Sequence, residues 1–167
     1  MMAHQPESNG VELRLAQLQL VLPPPAKPGG HYAPAILTGN LLYLSGAIGT
    51  IYEDGRWRLP LTGKVGSDLT IEQGRLSARY CVLNHLAAIK ASLGTLDRVR
   101  QVVKLTGYVN AAPGFTKAPL VLDGASELLT AVFGAKIGSH ARTAVYQHDM
   151  SFNAPIETDL IVEVAST

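Results

Sequence analysis

This chain of 167 residues has a single cysteine, almost no net charge and no long apolar run. One cysteine, Cys81, excludes an internal disulfide, and its apolar neighbours predict a buried thiol rather than a nucleophile. Lys and Arg number 14 against 13 Asp and Glu, so the composition does not indicate a nucleic-acid surface. No apolar stretch approaches the roughly 20 residues of a membrane span, and the polar residues 1–10 lack the apolar segment of a signal peptide. We therefore expect a cytoplasmic protein that binds neither membrane nor nucleic acid.

Several motifs that mark other enzyme classes are also missing. Ser45 stands outside any Gly-x-Ser-x-Gly sequence, and the glycine turns at residues 29–30 and 134–138 lack the spacing of a phosphate-binding loop. His140 and His148 flank one predicted strand without a third ligand at a suitable spacing. The sequence thus predicts no serine nucleophile, no nucleotide site, no metal and no cofactor.

The length and the 47% of hydrophobic residues are typical of one compact domain with a substantial core. Prolines and glycines at residues 23–30 exclude regular structure there. We divide the chain into an N-terminal extension with a Pro-rich connector, residues 1–30, and a single domain, residues 31–167.

Local patterns predict most secondary-structure elements. Gly39-Asn40 between two apolar runs predicts a β-hairpin, and Thr70 with Gln73 forms a capping box at the start of an amphipathic helix. The predicted elements are a hairpin over 33–46, a helix over 70–93, a strand over 96–110, a helix from about residue 123 to 134, and strands over 142–147 and 156–165. This order indicates an α+β fold with two helices on one face of a mixed sheet. We expect identical subunits to cover the other face.

The loop at residues 52–58 predicts a turn and a short strand. It contains the single tryptophan of the chain, Trp57. We expect Trp57 to pack against neighbours or to lie at an interface rather than to bind a ligand.

The main functional signal is a cation and an acid near the C-terminus. Arg142 lies at the start of one predicted strand and Glu157 near the start of the next, which offers both groups to one small site. Two structural interpretations compete with this one: Arg142 as an ion-pair residue at a subunit boundary, and Glu157 as a solvent-exposed strand acid.

A resemblance to a known family extends over nearly the whole chain from about residue 11. The motifs that carry it are residues 31–35 (HYAPA), 39–46 (GNLLYLSG), 110–115 (NAAPGF), 123–129 (DGASELL), 141–145 (ARTAV), 155–157 (PIE) and 161–164 (IVEV). In this order and spacing the chain resembles the Rid family, also called the YjgF/YER057c/UK114 family, and within it a subgroup with a long N-terminal extension. The resemblance implies a chorismate-mutase-like fold and a homotrimer with a cleft at each subunit boundary.

The best-known Rid proteins are enamine and imine deaminases, which hydrolyse 2-imino acids to 2-keto acids and ammonia. By this resemblance Arg142 binds the substrate carboxylate, while the backbone carbonyl of Ala144 and the carboxylate of Glu157 hold the attacking water. Tyr32 lies at the rim of the cleft, and the backbone at Ser45-Gly46 lies against the substrate. The partner implied is a small carboxylate-bearing metabolite.

The chain departs from the deaminases at several positions. Ala47 and Ala144 replace residues that are often glutamine and cysteine in the family, and Asp123 stands where asparagine is common. A carboxylate at Asp123, which belongs to the predicted substrate site, would repel an anionic ligand or select a different one. A non-catalytic module that binds a small carboxylate therefore remains the alternative to an enzyme. An endoribonuclease, an activity also attributed to the family, gains no support from the near-neutral charge.

Overall fold

The computed structural model describes residues 10–166. These residues form three α-helices, a five-stranded sheet and a separate two-stranded hairpin. In chain order the elements are α1 (Val11–Gln17), β1 (Ala35–Thr38), β2 (Leu41–Ile48), β3 (Ile51–Glu53), β4 (Arg56–Arg58), α2 (Ile71–Leu93), β5 (Val99–Asn110), α3 (Ala118–Gly138), β6 (Ala141–Gln147), a 3₁₀ turn (Ser151–Asn153) and β7 (Ile156–Val164).

The large sheet is mixed, with strand order β1-β2-β7-β5-β6. Every neighbouring pair is antiparallel except β5 and β6, which are parallel and are joined through α3. A parallel pair needs a long crossover, and a helix that packs on the sheet supplies it. The predicted α+β fold with a mixed sheet is confirmed.

The two long helices, α2 and α3, lie on one face of the sheet and bury a continuous apolar core. Leu86 on α2 and Leu122 on α3 are fully buried, as are Leu105 and Leu160 on the central strands. Full burial of each such side chain contributes about 1.5–3 kcal/mol. The short helix α1 contacts α3, where Arg14 Nη1 donates to the carbonyl of Val132 at 3.1 Å.

The boundaries of α2 and α3 show how far local sequence signals determine where a helix begins and ends. At α2 the predicted capping box is confirmed: the Gln73 amide donates to Thr70 Oγ1 at 3.2 Å, and the Thr70 amide donates to Gln73 Oε1 at 2.9 Å. The prediction that α3 stops at Gly134 was wrong, because the helix continues to Gly138 across a kink at Gly134, where φ is 83°. Helix α3 also begins earlier, at Ala118, since a proline is tolerated in a first turn.

The second face of the sheet is not covered by any described element. Cross-strand partners Ile36, Tyr43 and Ile161 form an apolar row on this face, and the side chain of Tyr43 is 42% exposed. Burial of this face against further copies of the chain stays a prediction. None of the helices in residues 10–166 is long and apolar enough to cross a membrane.

The small hairpin β3–β4 lies apart from the main sheet. Its turn residues, Asp54 and Gly55, both have positive φ (51° and 74°), as in the turns that match strand twist best. Tyr52 and Trp57 are cross-strand partners whose rings meet edge to face, with centroids 5.3 Å apart. The expectation that Trp57 packs against a neighbour is confirmed.

Candidate functional site

A cavity of about 840 Å³ opens beside the start of β1, where β2 continues beyond Ala35 with one edge uncovered. Its walls come from the segment that leads into β1, and from β2, the β3–β4 hairpin, α2, the 3₁₀ turn and the start of β7. The segment before β1 joins the prolines to this strand, and from here on we call its residues 24–34 the connector. We call the cavity the Glu157 pocket, after the acid that lines it. Its volume lies in the range of small-molecule sites in proteins.

A β-bulge shapes the reactive end of this pocket. The register of β2 against β7 shifts between Leu44 and Ala47, which leaves Ser45 and Gly46 outside the regular ladder. The Glu157 side chain lies across Gly46, so that a Cβ at this position would collide with Glu157 Oε1. The hydroxyl of Ser45 donates to the carbonyl of Ala33 at 2.7 Å and is therefore engaged with the connector. Gly46 gives the acid room over the strand.

The environment of Glu157 favours its protonated form. Burial, and next the charge of Asp159, raise the pKa of the Glu157 carboxyl above its usual value. Asp159 is held by Tyr108, whose hydroxyl donates to Asp159 Oδ2 at 3.0 Å. A carboxyl group with a raised pKa at the wall of a cavity is suited to general acid–base chemistry.

The α2 side of the pocket is uncharged. His85 is 1% exposed, and its Nε2 lies 3.0 Å from the carbonyl oxygen of Thr158 and 2.9 Å from Thr158 Oγ1. Burial lowers the pKa of His85 to about 4, so the ring is neutral at pH 7. Asn84 Nδ2 donates to the carbonyl of Ile48 at 2.9 Å and to Thr50 Oγ1 at 3.0 Å, which fixes the end of β2 against α2.

The arginine site lies elsewhere in the chain, between β6 and α3. Nη1 of Arg142 donates to Asp123 Oδ1 at 2.9 Å and to Ser126 Oγ at 3.0 Å, and Nη2 donates to the carbonyl of Pro119 at 3.1 Å. The Arg142 side chain is 23% exposed and that of Asp123 is 37% exposed. Of the five guanidinium N–H groups, the Nε–H and one N–H of Nη2 have no acceptor among residues 10–166. Arg142 is thus held in place with two donors left over.

His140 positions Arg142 indirectly, through Ser126. Nδ1 of His140 lies 2.7 Å from the carbonyl oxygen of Gly138, which can only accept, so we assign the proton to Nδ1. In the neutral ring Nε2 then accepts from the Ser126 hydroxyl at 2.9 Å, and Ser126 accepts from Arg142. The chain of hydrogen bonds orients the guanidinium through Ser126. His140 is thus a hydrogen-bonded residue that positions Arg142 through Ser126.

The structure separates the predicted site residues into two groups. Tyr32, Ser45, Gly46 and Glu157 all line the Glu157 pocket. Arg142, Asp123 and Ala144 belong to the edge formed by β6 and α3. Within one chain Arg142 and Glu157 do not line the same cavity, and their meeting in one small site stays a prediction.

Strand register gives the reason. Glu157 pairs with Tyr108, and Tyr108 pairs with Val145, so these three side chains share the uncovered face of the sheet. Side chains alternate along β6, which places Arg142 on the opposite face, where it meets α3. One strand lies between β6 and β7, a lateral separation of about 10 Å, and three residues along β6 add about 10 Å more. One small ligand cannot contact Arg142 and Glu157 of the same chain.

Some lining residues had no signal in the sequence. The connector residues 24–29, Tyr52 and Phe152 all line the Glu157 pocket, and Trp57 does so as well as packing on Tyr52. They converge only through tertiary structure.

No metal site is evident within residues 10–166, where no three His, Cys, Asp or Glu side chains cluster suitably for a metal ion. Cys81 is fully buried, and burial raises the pKa of its thiol. This confirms the prediction of a buried thiol in the core.

Comparison with known proteins identifies the family. The sequence profile described as "YjgF/chorismate mutase-like, putative endoribonuclease" matches residues 12–164. The chain belongs to the YjgF family. The predicted membership and the chorismate-mutase-like fold are confirmed, whereas the subgroup with an N-terminal extension and the domain boundary at residue 30 stay predictions.

Three relatives of this YjgF-family protein are similar over almost their full length. Protein TCP17 of Trypanosoma cruzi is 38% identical over 157 residues, which cover 94% of this chain and 96% of TCP17. The structure of Atu1372 from Agrobacterium tumefaciens, a protein of unknown function, is 39% identical with a TM-score of 0.83 over 95% of both chains. A "putative endoribonuclease" from Shewanella oneidensis is 33% identical with a TM-score of 0.87, over 93% of this chain and all of the other.

Proposed function

We propose that this protein hydrolyses reactive 2-imino acids and their enamine tautomers to 2-keto acids and ammonia, in clefts between the subunits of a homotrimer. The observation that carries the proposal is the convergence of Tyr32, Ser45, Gly46 and Glu157 on one cavity. These residues are distant in sequence and match the positions that line the substrate cleft in Rid deaminases. Membership of the YjgF family is compatible with this activity.

In the proposed reaction Arg142 binds the substrate carboxylate. Its Nε–H and one N–H of Nη2 have no acceptor among the described residues, and a planar guanidinium with two such donors suits a carboxylate better than an ammonium group does. Asp123 and Ser126 hold the other side of the guanidinium. The arginine is therefore oriented before the ligand arrives, which reduces the entropy lost on binding.

Glu157 is the proposed general base and acid. A water molecule, held by Glu157 and the backbone carbonyl of Ala144, attacks the imine carbon while Glu157 accepts its proton. Glu157 then returns this proton to the nitrogen, which gives a tetrahedral carbinolamine. In a second transfer Glu157 takes the proton of the new hydroxyl group and passes it to the amine, the C–N bond breaks, and ammonia leaves as the C=O bond of the keto acid forms. The raised pKa of Glu157 suits both proton transfers.

The proposed cleft requires two copies of the chain. Arg142 and Glu157 of one copy lie on opposite faces of the sheet, so the arginine edge of one subunit has to meet the Glu157 pocket of the next. The uncovered apolar row on the sheet is consistent with association of copies. Light scattering coupled to size-exclusion chromatography tests whether the chains associate in solution, and a stable monomer would contradict the shared cleft.

The activity is tested with imines generated in place by an amino-acid oxidase, with 2-keto acid formation as the readout. We expect kcat/KM to fall about 10- to 100-fold in Arg142→Ala, because a charge-assisted hydrogen bond of about 1.5–3 kcal/mol is lost. Arg100→Ala removes another arginine, one that is exposed on β5, and serves as the control. If the native trimer does not accelerate 2-keto acid formation from any of a panel of imino acids, the proposed deaminase activity is refuted.

A second candidate is a non-catalytic module that binds a small carboxylate. The residue beside Arg142 keeps this candidate open, because Asp123 stands where the deaminases often have asparagine and here pairs with the arginine. The two candidates differ in one result. Arg142→Ala lowers the turnover of the enzyme, whereas in the binding module it weakens ligand binding that never led to turnover.

A further inference from the structure

We infer that the Glu157 pocket accepts the large apolar side chain, in particular an aromatic one, of the 2-imino acid. The inference rests on the proposed function and adds the substrate class and the residues that select it. Residues 24–29 of the connector form one wall of the pocket and would contact this side chain.

Aromatic rings from three separate segments line the pocket. Tyr32 comes from the connector, Tyr52 and Trp57 from the β3–β4 hairpin, and Phe152 from the 3₁₀ turn before β7. The hairpin is a two-stranded sheet with no strand partner in residues 10–166, yet it presents an aromatic pair to the cavity. Aromatic rings bind other rings edge to face or offset, with a preference beyond the area that they bury.

Phe152 has an unfavourable conformation for its size. Its φ is 57°, a left-handed backbone that bulky residues rarely adopt, and 81% of its surface is exposed. An exposed phenylalanine gains nothing from the core that would offset this strain. Strain of this kind is concentrated at ligand-binding positions, and Phe152 lines the pocket.

The charges on the pocket walls favour a neutral group. Among residues 10–166 the charged side chains that line the cavity are Lys27 and Glu157, and His85 is neutral because burial lowers its pKa to about 4. The carboxylate of the ligand belongs at Arg142, which lies outside this cavity. A volume of about 840 Å³ greatly exceeds what a methyl side chain fills.

The connector is anchored at its N-terminal end, because the helix that precedes it, α1, is bound to the rest of the domain. The Val11 amide donates to Asp97 Oδ1 at 2.6 Å, and Arg14 Nη1 donates to the Val132 carbonyl at 3.1 Å. Glu12 pairs with Lys90 at 3.0 Å. With α1 held against the helical layer, the prolines after it span a fixed path to the pocket. The wall is stiff because proline fixes φ.

Trp57 reports directly on occupancy, since it is the single tryptophan of the chain and lines the pocket. Its fluorescence, excited selectively, is titrated with 3-phenylpropanoate and with propanoate, two stable carboxylates that differ by a phenyl ring. We expect 3-phenylpropanoate to bind at least tenfold more tightly and to change the fluorescence. In Phe152→Ala the ratio of the two dissociation constants should fall about fivefold, as expected for the loss of one ring contact.

Val21→Ala is the control, because Val21 is an exposed apolar residue of the N-terminal extension that does not line the pocket. Equal affinity for the two carboxylates, or a ratio unchanged by Phe152→Ala, would overturn the inference. The imine assay separates this outcome from failure of the proposed function. Selective binding without turnover supports the side-chain pocket and refutes the deaminase, whereas turnover without selectivity does the reverse.

Discussion

The ion pair between Asp123 and Arg142 makes a sharp prediction, because it places a negative charge beside the proposed anion site. The two side chains approach within 2.9 Å, so a ligand carboxylate bound to the remaining arginine donors would lie about 6 Å from Asp123 by the size of a guanidinium group. At an effective dielectric constant of about 40, the repulsion is about 1.4 kcal/mol. Because Asp123 is 37% exposed, solvent and salt reduce this to roughly 1 kcal/mol. Asp123→Asn should therefore tighten carboxylate binding about fivefold.

The assay is calorimetric titration of a 2-keto acid at low salt, with the KM for the imine as a second readout. Asparagine keeps an acceptor for Arg142 Nη1, so the guanidinium should stay in place. Glu127→Gln is the control, because Glu127 lies on the same helix but pairs with Arg75 at 2.7 Å. If Asp123→Asn binds the ligand no better than native protein, or if Glu127→Gln gives the same gain, the electrostatic argument fails.

Three further predictions concern pH and packing. Because the charge of Asp159 contributes to the raised pKa of Glu157, Asp159→Asn should move the acidic limb of the profile of kcat/KM against pH to lower pH. An unmoved limb would show that the ionisation of Glu157 does not control the rate. Because the pKa of His85 is lowered in the folded protein, the unfolded state takes up the proton at a higher pH than the folded state does. The free energy of unfolding should therefore fall by about 3 kcal/mol as the pH drops from 6.5 to 4. Urea unfolding should show a smaller decrease over this range in His85→Gln. Gly124→Ala should destabilise the protein by about 1–3 kcal/mol, since its Cβ would lie 2.8 Å from the backbone Cα of Arg75, and a thermal midpoint within one degree of native would contradict this close helix contact.

Elements with a complete local signal were predictable from sequence. The capping box at Thr70 and the glycine at position 94 define both ends of α2, and the Gly39-Asn40 turn defines the first hairpin. At Gly134 the local signal misled, because the helix resumes after a single left-handed residue. A glycine marks where a helix can be interrupted, but packing on the sheet decides whether it continues.

The candidate site was only partly predictable, for a geometric reason. The residue types were identified through the family motifs, and Glu157 and Gly46 do meet. The face that Arg142 occupies depends on the parallel register of β6 against β5, which is set by the crossover through α3. No local pattern specifies that register. In the same way Phe152 lines the pocket only through the turn before β7.

The placement of Arg142 and Glu157 on opposite faces of the sheet has a genetic consequence. If each cleft combines the arginine of one subunit with the acid of its neighbour, Arg142→Ala and Glu157→Gln should each lose most of the activity alone. Refolded together as a mixture, they should regain activity, because a cleft bordered by the intact half of each variant is complete. Random assortment of equal amounts gives roughly one intact cleft in four. Two impaired alleles would then restore part of the activity when expressed in one cell.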